Sequence, residues 1–205
     1  ENRIAGGLGM YRKVFANKVF ERKVVLVTGG CAGIGRALVL RMAQAGARLV
    51  IFDLDRAALD SLVQHLRDHH NCEALGLVCD VADPAAVERA MTLVLERFGG
   101  LDVLVANAGS IQVGPAFAMR GSDFANAMDV IFYGVLHPVL AALPVMKKRG
   151  AGRVLVISSI GGKLPAPHLL PYVTAKHAAV GFAEGLRVEA IKHGITVTCA
   201  VPGLM

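Results

Sequence analysis

Thr28-Gly29-Gly30-Cys31-Ala32-Gly33-Ile34-Gly35 lies between an apolar run that ends at Val27 and a helical pattern that begins near Arg36. A strand that turns through glycines into the N-terminus of a helix is suited to binding a phosphate group. Glycines permit tight turns, the first N–H groups of a helix have no partner within it, and the helix dipole favours an anion. The alternative is a glycine turn that serves only the packing of helix on strand. The strands that follow decide between the two.

Apolar runs rich in Val, Ile and Leu alternate with helical patterns along the rest of the chain. Such runs are typical of strands that are buried on both faces of a parallel sheet. Six βα units in this order predict a doubly wound parallel sheet, Rossmann-like, in a three-layer α/β/α arrangement. The predicted strands are 23–28, 48–53, 74–79, 101–106, 153–158 and 195–200. The predicted helices are 35–45, 55–69, 84–98, 122–148 and 172–193.

The composition is that of one folded domain behind a basic leader. The 205 residues are 54% hydrophobic, and the mean hydropathy of +0.52 provides for a sizeable core. Residues 1–23 hold six basic and two acidic side chains, a net +4 of the chain's +6. The rest is nearly neutral, which argues against a nucleic-acid-binding face. We therefore predict a leader at 1–22, whose first nine residues are typical of an expression remnant, and a single domain at 23–205.

The cysteines indicate the cellular compartment, and the longest apolar run indicates whether the chain has a membrane span. The four cysteines show no Cys-x-x-Cys spacing and no partnering histidine pattern, which predicts free thiols, no metal site and a cytoplasmic protein. The longest uncharged run, 130–146, is interrupted by prolines and is shorter than the ~20 residues of a membrane span. We expect this run to form a buried helix, and we expect no membrane span.

The end of the second strand carries an acid that indicates a nucleotide. Ligands of such sheets bind outside the carboxyl ends of the strands. Asp53 stands there, placed to accept hydrogen bonds from ribose hydroxyls and to repel a 2′-phosphate. No basic residue stands at Ala32 or Leu54 to attract that phosphate, which favours NAD, with NADP as the alternative. Asp53 would otherwise cap the next helix, a role for which Asp55 is better placed.

The third and fourth strands end in residues that suit the remainder of a dinucleotide. Asp80 is placed to accept from an adenine amino group, although a solvated acid would give the same pattern. Asn107-Ala108-Gly109 combines small residues with one amide, which lets a cofactor lie close to the backbone. A plain turn would also have this composition.

Tyr172 and Lys176 stand four residues apart at the head of a long helix, so phenol and ammonium share one face. A free tyrosine titrates near pH ~10, and a fixed positive charge beside it favours the phenolate. Ser159 ends the fifth strand and can donate to an oxygen on which charge develops during hydride transfer. Tyr172 and Lys176 alone fit a chance pair on an amphipathic helix. Together with Ser159 and the glycine turn, they favour a Ser-Tyr-Lys catalytic set.

These motifs together resemble the short-chain dehydrogenase/reductase family, in family order over residues 23–205. The resemblance implies hydride transfer between NAD(P) and a secondary alcohol or ketone. It implies Tyr172 as general acid/base, Lys176 on the nicotinamide ribose and Ser159 on the substrate carbonyl. The cofactor contacts that it implies are Thr28, Gly29, Cys31, Ala32, Gly33, Ile34, Gly35, Asp53, Leu54, Asp80, Val81, Asn107, Ala108, Gly109, Tyr172, Lys176, Pro202 and Gly203.

The chain departs from the family pattern in two places. Family members carry a catalytic asparagine three residues before a glycine, and it supports a water that links the lysine to solvent. Ile131 stands there, so we expect a rerouted relay or slow turnover, and the alternative function is a catalytically weak cofactor-binding sensor or scaffold. Tyr133 and His137 lie nearby, but helix spacing predicts other faces for both. The chain also stops at Met205, before the family's substrate loop and seventh strand, so we expect the C-terminal part to be missing.

The expected substrate walls, 110–120 and 163–170, are mostly apolar, which favours an apolar alcohol or ketone. His168 within them is expected to be a solvated loop residue. The resemblance also implies a homodimer or homotetramer that is formed through the helices at 122–148 and 172–193.

Overall fold

The computed structural model describes residues 19–203, which are built around a six-stranded parallel sheet. The order of the strands across the sheet is β3-β2-β1-β4-β5-β6, with β1 at the centre beside β4. This order confirms the predicted doubly wound sheet, whose direction of winding reverses between β1 and β4. The strands are β1 (Val24–Thr28), β2 (Arg48–Asp53), β3 (Ala74–Val78), β4 (Val103–Ala106), β5 (Gly152–Ile157) and β6 (Ile195–Ala200).

Helices cover both faces of the sheet, and each face has its own apolar core, as predicted for three layers. The helices are α1 (Gly33–Gln44), α2 (Arg56–His70), α3 (Pro84–Phe98), α4 (Gly121–Ala127), α5 (Gly134–Arg149) and α6 (Leu170–Ala190). One core packs α1 and α2 against the sheet, and the other packs α3, α5 and α6 against the opposite face. The central strands β1, β2 and β4 are almost wholly buried, which is why they are apolar on both faces.

Local signals start and stop the helices where the sequence indicates. Asp55 caps α2 by accepting from the backbone N–H of Ala58 at 3.0 Å, and Asp83 caps α3 ahead of Pro84. Gly99 follows α3 with φ of +72°, the left-handed conformation that commonly ends a helix. Since Asp55 carries the capping role, Asp53 is free for another one.

The predicted continuous helix at 122–148 is interrupted. Met128–Tyr133 forms a π-helical segment between α4 and α5, with i→i+5 hydrogen bonds in place of i→i+4. This extra residue per turn rotates everything downstream of it relative to an unbroken α-helix. Periodicity does not reveal it, because the segment is as apolar as its surroundings.

The apolar run at 130–146 contributes Val135, Val139, Ala142 and Met146 to the core, and it exposes Tyr133, Leu140 and Pro144. Across Gly121–Arg149 the most apolar 18-residue window has a mean hydropathy of 1.6, and 33% of it is buried. This stretch is long and apolar enough to cross a membrane, but a single such helix is weak evidence, because core helices meet the same criteria.

Candidate active site

The glycine turn leaves an open position at the start of α1. The residue before the helix, Ala32, supplies no side-chain cap, and the first turn holds no acid. Gly33 has φ of +49°, and a Cβ there would meet no atom within 4 Å. At Gly35 a Cβ would lie 2.1 Å from the carbonyl oxygen of Gly29, so no larger residue fits. Uncapped N–H groups that face open space at a positive helix end fit a phosphate group.

Thr28 and Asn107 hold this turn in place. The Thr28 hydroxyl is fully buried and accepts from the backbone N–H groups of Asn107 and Ala108, both at 3.0 Å. The Asn107 side-chain amide donates to the carbonyl oxygens of Thr28 and Gly29, also at 3.0 Å. The side chains of Thr28 and Asn107 therefore fix the ends of β1 and β4 against each other. Asn107 also lines a cleft beside Tyr172, and its predicted contact with a cofactor stays a prediction.

A cleft of about 170 Å³, here named the Asp53 cleft, lies at the ends of β2 and β3. Asp53 Oδ2 accepts from the backbone N–H of Cys31 at 2.9 Å, and Oδ1 accepts from that of Leu54 at 2.9 Å. Oδ1 also accepts from the backbone N–H of Asp55 at 3.3 Å. These bonds tie the carboxylate to the glycine turn, and Oδ2, with one backbone partner, can accept from a ribose hydroxyl. The cleft is lined by Gly29, Phe52, Asp53, Leu54, Cys79, Asp80, Val81, Ala108, Gly109 and Val130.

The Cys31 thiol lies beside the Asp53 carboxylate in the glycine turn. Burial, followed by the negative charge of Asp53, raises the pKa of Cys31 to about 12. The thiol is therefore protonated at neutral pH and is not a nucleophile.

A second cleft, the Tyr172 cleft, measures about 310 Å³ and lies at the ends of β4 and β5. Gly109 lines both clefts, so the two are neighbours along the same edge of the sheet. Together they provide room for a dinucleotide across the glycine turn. The Tyr172 cleft is lined by Ile34, Asn107, Gly109, Ser110, Ile111, Ile157, Ser158, Tyr172 and Lys176.

Ser159 and Tyr172 meet around Gly161. A Cβ on Gly161 would lie 3.2 Å from Tyr172 Cε1 and 3.6 Å from Ser159 Oγ, so both side chains approach the same point. Ser159 Oγ accepts from the backbone N–H of Gly161 at 3.1 Å, which leaves its own hydrogen free to donate. The Pro202 carbonyl accepts from Ile160 N–H at 2.8 Å, which places the predicted Pro202-Gly203 contact beside Ser159.

Lys176 is held at both ends by two consecutive residues at the end of β5. Its Nζ donates to the carbonyl oxygen of Ile157 at 3.0 Å, and its own carbonyl accepts from Ser158 Oγ at 3.2 Å. The side chain is only 6% exposed, and this burial lowers its pKa to about 8. Nζ lies 5.7 Å from the centre of the Tyr172 ring. A desolvated positive charge therefore stands beside the phenol, as the i, i+4 spacing predicts.

Ile131 lies on the π-helical segment and is 1% exposed. It packs in a small apolar cluster with Ala127 and Ala175, and Tyr172 is packed against that cluster. A position next to the predicted catalytic tyrosine thus has no hydrogen-bonding side chain, as the sequence indicates.

His137 lies outside both clefts but contacts a residue that lines one of them. Its Nδ1 lies 3.1 Å from the carbonyl oxygen of Val81, which lines the Asp53 cleft. The ring also stacks on Tyr133, with centroids 5.5 Å apart. The sequence does not indicate this contact, because the two residues are 56 positions apart in the chain.

The loops expected to form substrate walls are linked to each other and expose apolar side chains. The backbone N–H of Gly114 donates to the carbonyl oxygen of His168 at 2.9 Å, and His168 is exposed with φ of +63°. The large apolar side chains exposed on these loops are Ile111, Val113, Phe117, Leu164 and Leu170. Within residues 19–203, no group of three or more His, Cys, Asp or Glu side chains is arranged to hold a metal ion.

Comparison with known proteins agrees with this geometry. The family model described as short chain dehydrogenase matches residues 23–205. Dehydrogenase/reductase SDR family member 4 of Sus scrofa is 36% identical over 196 residues, covering 92% of this chain and 67% of that protein. Levodione reductase of Leifsonia aquatica is 33% identical over 186 residues, covering 90% of this chain and 70% of that protein.

Two solved structures with bound NAD share the fold. NAD+-bound xylitol dehydrogenase superposes with a TM-score of 0.87 at 31% identity, over 90% of this chain and 71% of that one. A short-chain dehydrogenase/reductase from Burkholderia phymatum in complex with NAD has a TM-score of 0.87 at 30% identity. The match covers 91% of this chain and 67% of that one. The chain belongs to the short-chain dehydrogenase/reductase family of oxidoreductases.

Proposed function

We propose that this chain transfers a hydride between NAD and a secondary alcohol or ketone, with Ser159, Tyr172 and Lys176 as its catalytic set. One observation carries the proposal: Ser159 Oγ and the Tyr172 ring converge on one point beside a buried, positively charged Lys176. Tyr172 and Lys176 line a cleft that adjoins the Asp53 cleft, and Ser159 directly follows Ser158, which lines the same cleft. The NAD held by two related structures supports a nicotinamide cofactor.

The residues of the Tyr172 cleft account for proton transfer to and from the substrate oxygen. When bound, the nicotinamide supplies or accepts the hydride. The Ser159 hydroxyl donates to the substrate oxygen and stabilises the negative charge that develops on it. Tyr172 gives its phenolic proton to that oxygen in reduction and takes it back in oxidation. The buried ammonium of Lys176, 5.7 Å from the centre of the Tyr172 ring, stabilises the negative charge that develops on the phenol oxygen as its proton leaves.

Asp53 supports NAD rather than NADP as the cofactor. Its carboxylate is fixed to the glycine turn at the edge of the cleft, where a 2′-phosphate would meet a negative charge. Leu54, which follows it, is exposed and offers no positive charge. We propose NAD as the working cofactor, and NADP as the weaker one.

The two linked loops support an apolar substrate. Ile111 lines the Tyr172 cleft and is also 61% exposed, so the cleft continues into the apolar surface of the loops. A substrate whose apolar part extends beyond the cleft would cover this surface. The binding free energy would then gain about 25 cal/mol for each Å² of apolar surface removed from water. We propose an apolar alcohol or ketone, with no nucleic acid among the partners.

The same surface considerations support a homodimer or homotetramer. Leu140 on α5 and Val188 on α6 are exposed, and Ile191 follows them just beyond α6. A second copy that covers these residues would bury the part of the apolar stretch at 130–146 that one chain leaves exposed.

The cysteines support the cytoplasm as the compartment, because all four are free thiols.

A catalytically weak sensor or scaffold is the second candidate, and Ile131 is the observation that favours it. The apolar cluster beside Tyr172 gives the side chain at 131 no means of ordering a water. Ile131→Asn tests this candidate directly. A gain in turnover in this variant would favour the sensor, since it would restore a missing proton route. An unchanged rate would show that another route serves the enzyme.

The deciding experiment measures binding and turnover on one sample. NADH and NADPH are titrated by their fluorescence, and a panel of apolar secondary alcohols is then supplied with NAD+ or NADP+, so that turnover is followed by the absorbance of the reduced nicotinamide that forms. NAD binding with turnover supports the proposal. Failure to bind either cofactor would overturn it.

A further inference from the structure

His137 near the start of α5 reaches across to the loop that follows β3. Its Nδ1 lies 3.1 Å from the carbonyl oxygen of Val81, 56 positions away in the chain. A carbonyl oxygen can only accept, so Nδ1 carries a proton and donates. The imidazole stacks on Tyr133 at an interplanar angle of 21°, which holds the ring in the orientation that this bond needs.

Residues of α5 contact Val81 at its side chain as well as at its carbonyl oxygen. A Cβ on Gly134 would lie 2.9 Å from Val81 Cγ2, so the first residue of α5 touches Val81 directly. The residue before it, Asp80, accepts from the backbone N–H of Ala82 at 2.9 Å and orders the rest of the turn. The position of Asp80-Val81 thus depends on α5.

This loop forms one wall of the Asp53 cleft. Asp80 and Val81 line the cleft together with Val130 from the π-helical segment. The side chains that line the Tyr172 cleft do not include His137. A change at His137 is therefore transmitted to the adenosine half of the cofactor site and not to the reacting atoms.

We propose that His137 is a positioning residue that fixes Asp80-Val81 for the adenosine half of the dinucleotide. This inference rests on the proposed function, because it requires that a dinucleotide occupies the Asp53 cleft. It goes beyond that function by assigning cofactor affinity to a helix residue that does not line the cleft. The competing explanation is a purely structural tie between α5 and β3, which would affect the fold and both halves of the site alike.

The test compares cofactor fragments across variants of His137. His137→Phe keeps an aromatic ring against Tyr133 but removes the donor, and His137→Asn keeps a donor close to Nδ1. ADP-ribose probes the adenosine half, and nicotinamide mononucleotide probes the other half. His69→Phe is the matched control, because its Nδ1 bonds a carbonyl of its own helix α2, that of His65, at 3.2 Å.

We expect His137→Phe to weaken ADP-ribose and NAD binding by roughly 3- to 10-fold, the usual effect of one hydrogen bond. The affinity for nicotinamide mononucleotide should stay within about twofold of that of the unmodified chain. The same holds for kcat with any substrate that turns over. His137→Asn should restore ADP-ribose affinity, and His69→Phe should leave it unchanged.

Three outcomes would overturn the inference: unchanged ADP-ribose affinity in His137→Phe, an equal loss for both fragments, or no recovery in His137→Asn. Circular dichroism checks that the variants fold, and His137→Met replaces the Phe variant if that one does not. The failure of the proposed function gives a different result, since the unmodified chain would then bind neither NAD nor NADP.

Discussion

The Asp53 cleft is built mainly of backbone groups and short side chains, whereas the Tyr172 cleft depends on two long side chains of one helix. Asp53 is held by N–H groups of the glycine turn and of its own strand end. Lys176 is held by burial and by one carbonyl oxygen. Changes in the first cleft should therefore alter affinity, and changes in the second should alter rate and pH dependence.

The largest expected effect is on rate, in the Tyr172 cleft. Tyr172→Phe removes the only hydroxyl of that side chain and should lower kcat by about 10³-fold, in the range of a lost acid–base group. NADH affinity should change less than twofold, because the ring remains in place. Stopped-flow absorbance gives the first quantity and fluorescence titration the second. A variant with full turnover would remove Tyr172 from the mechanism.

The next effect is on the fold of the glycine turn. Gly35→Ala places a Cβ 2.1 Å from the Gly29 carbonyl oxygen, which must move, and Asn107 Nδ2 lies 2.6 Å away. We expect a loss of at least about 3 kcal/mol in the free energy of unfolding, and no measurable NADH binding.

Gly121→Ala is the control for that substitution. A Cβ there meets nothing within 4 Å, so stability and NADH affinity should be unchanged or slightly higher. Equal stability of the two variants by urea titration would mean that the turn tolerates a side chain.

Lys176 makes stability depend on pH. Its pKa is lowered from 10.5 to about 8 by burial, so between these values the unfolded chain binds more protons than the folded one. The free energy of unfolding should therefore rise from pH 8 to 10.5, by up to about 3 kcal/mol, relative to Lys176→Met. Urea titrations of both proteins across this range measure the difference. Parallel pH curves would show that the ammonium is solvated.

Asp53→Asn gives the smallest effect on cofactor binding. The amide keeps the shape of the side chain but loses the charge that opposes a 2′-phosphate, and its Nδ2 cannot accept from the backbone N–H that one carboxylate oxygen accepts from. NAD should bind about tenfold more weakly, and the preference for NAD over NADP should narrow. Calorimetric titration with both cofactors measures the two affinities. If the unmodified chain binds NAD and NADP equally, Asp53 does not discriminate between them.

The same contrast between the clefts explains which parts of the fold and of the candidate site could be predicted from the sequence. The glycine turn and the strand ends are local, and each follows from backbone chemistry that a short motif reveals. The spacing of Tyr172 and Lys176 likewise follows from one helix. The π-helical segment at Met128–Tyr133 packs against α6, and His137 bonds a residue 56 positions away, so neither follows from a local pattern in the sequence.

The side chains of Thr28 and Asn107 show a second limit. The family resemblance implies that both residues bind a cofactor. The structure uses both to join β1 to β4. A motif identifies the residues that a site needs, but it does not distinguish those that touch a ligand from those that shape the backbone around it.

The bonds between Thr28 and Asn107 also set an order of events during synthesis of the chain. The two residues are 79 positions apart, so the bonds that join the glycine turn to β4 cannot form before Asn107 has been made, whereas the bond from Cys31 N–H to Asp53 can form earlier. At about 5–20 residues per second, the ribosome needs roughly 4–16 s to add that length. The two neighbouring clefts are therefore complete only after β4 has docked beside β1.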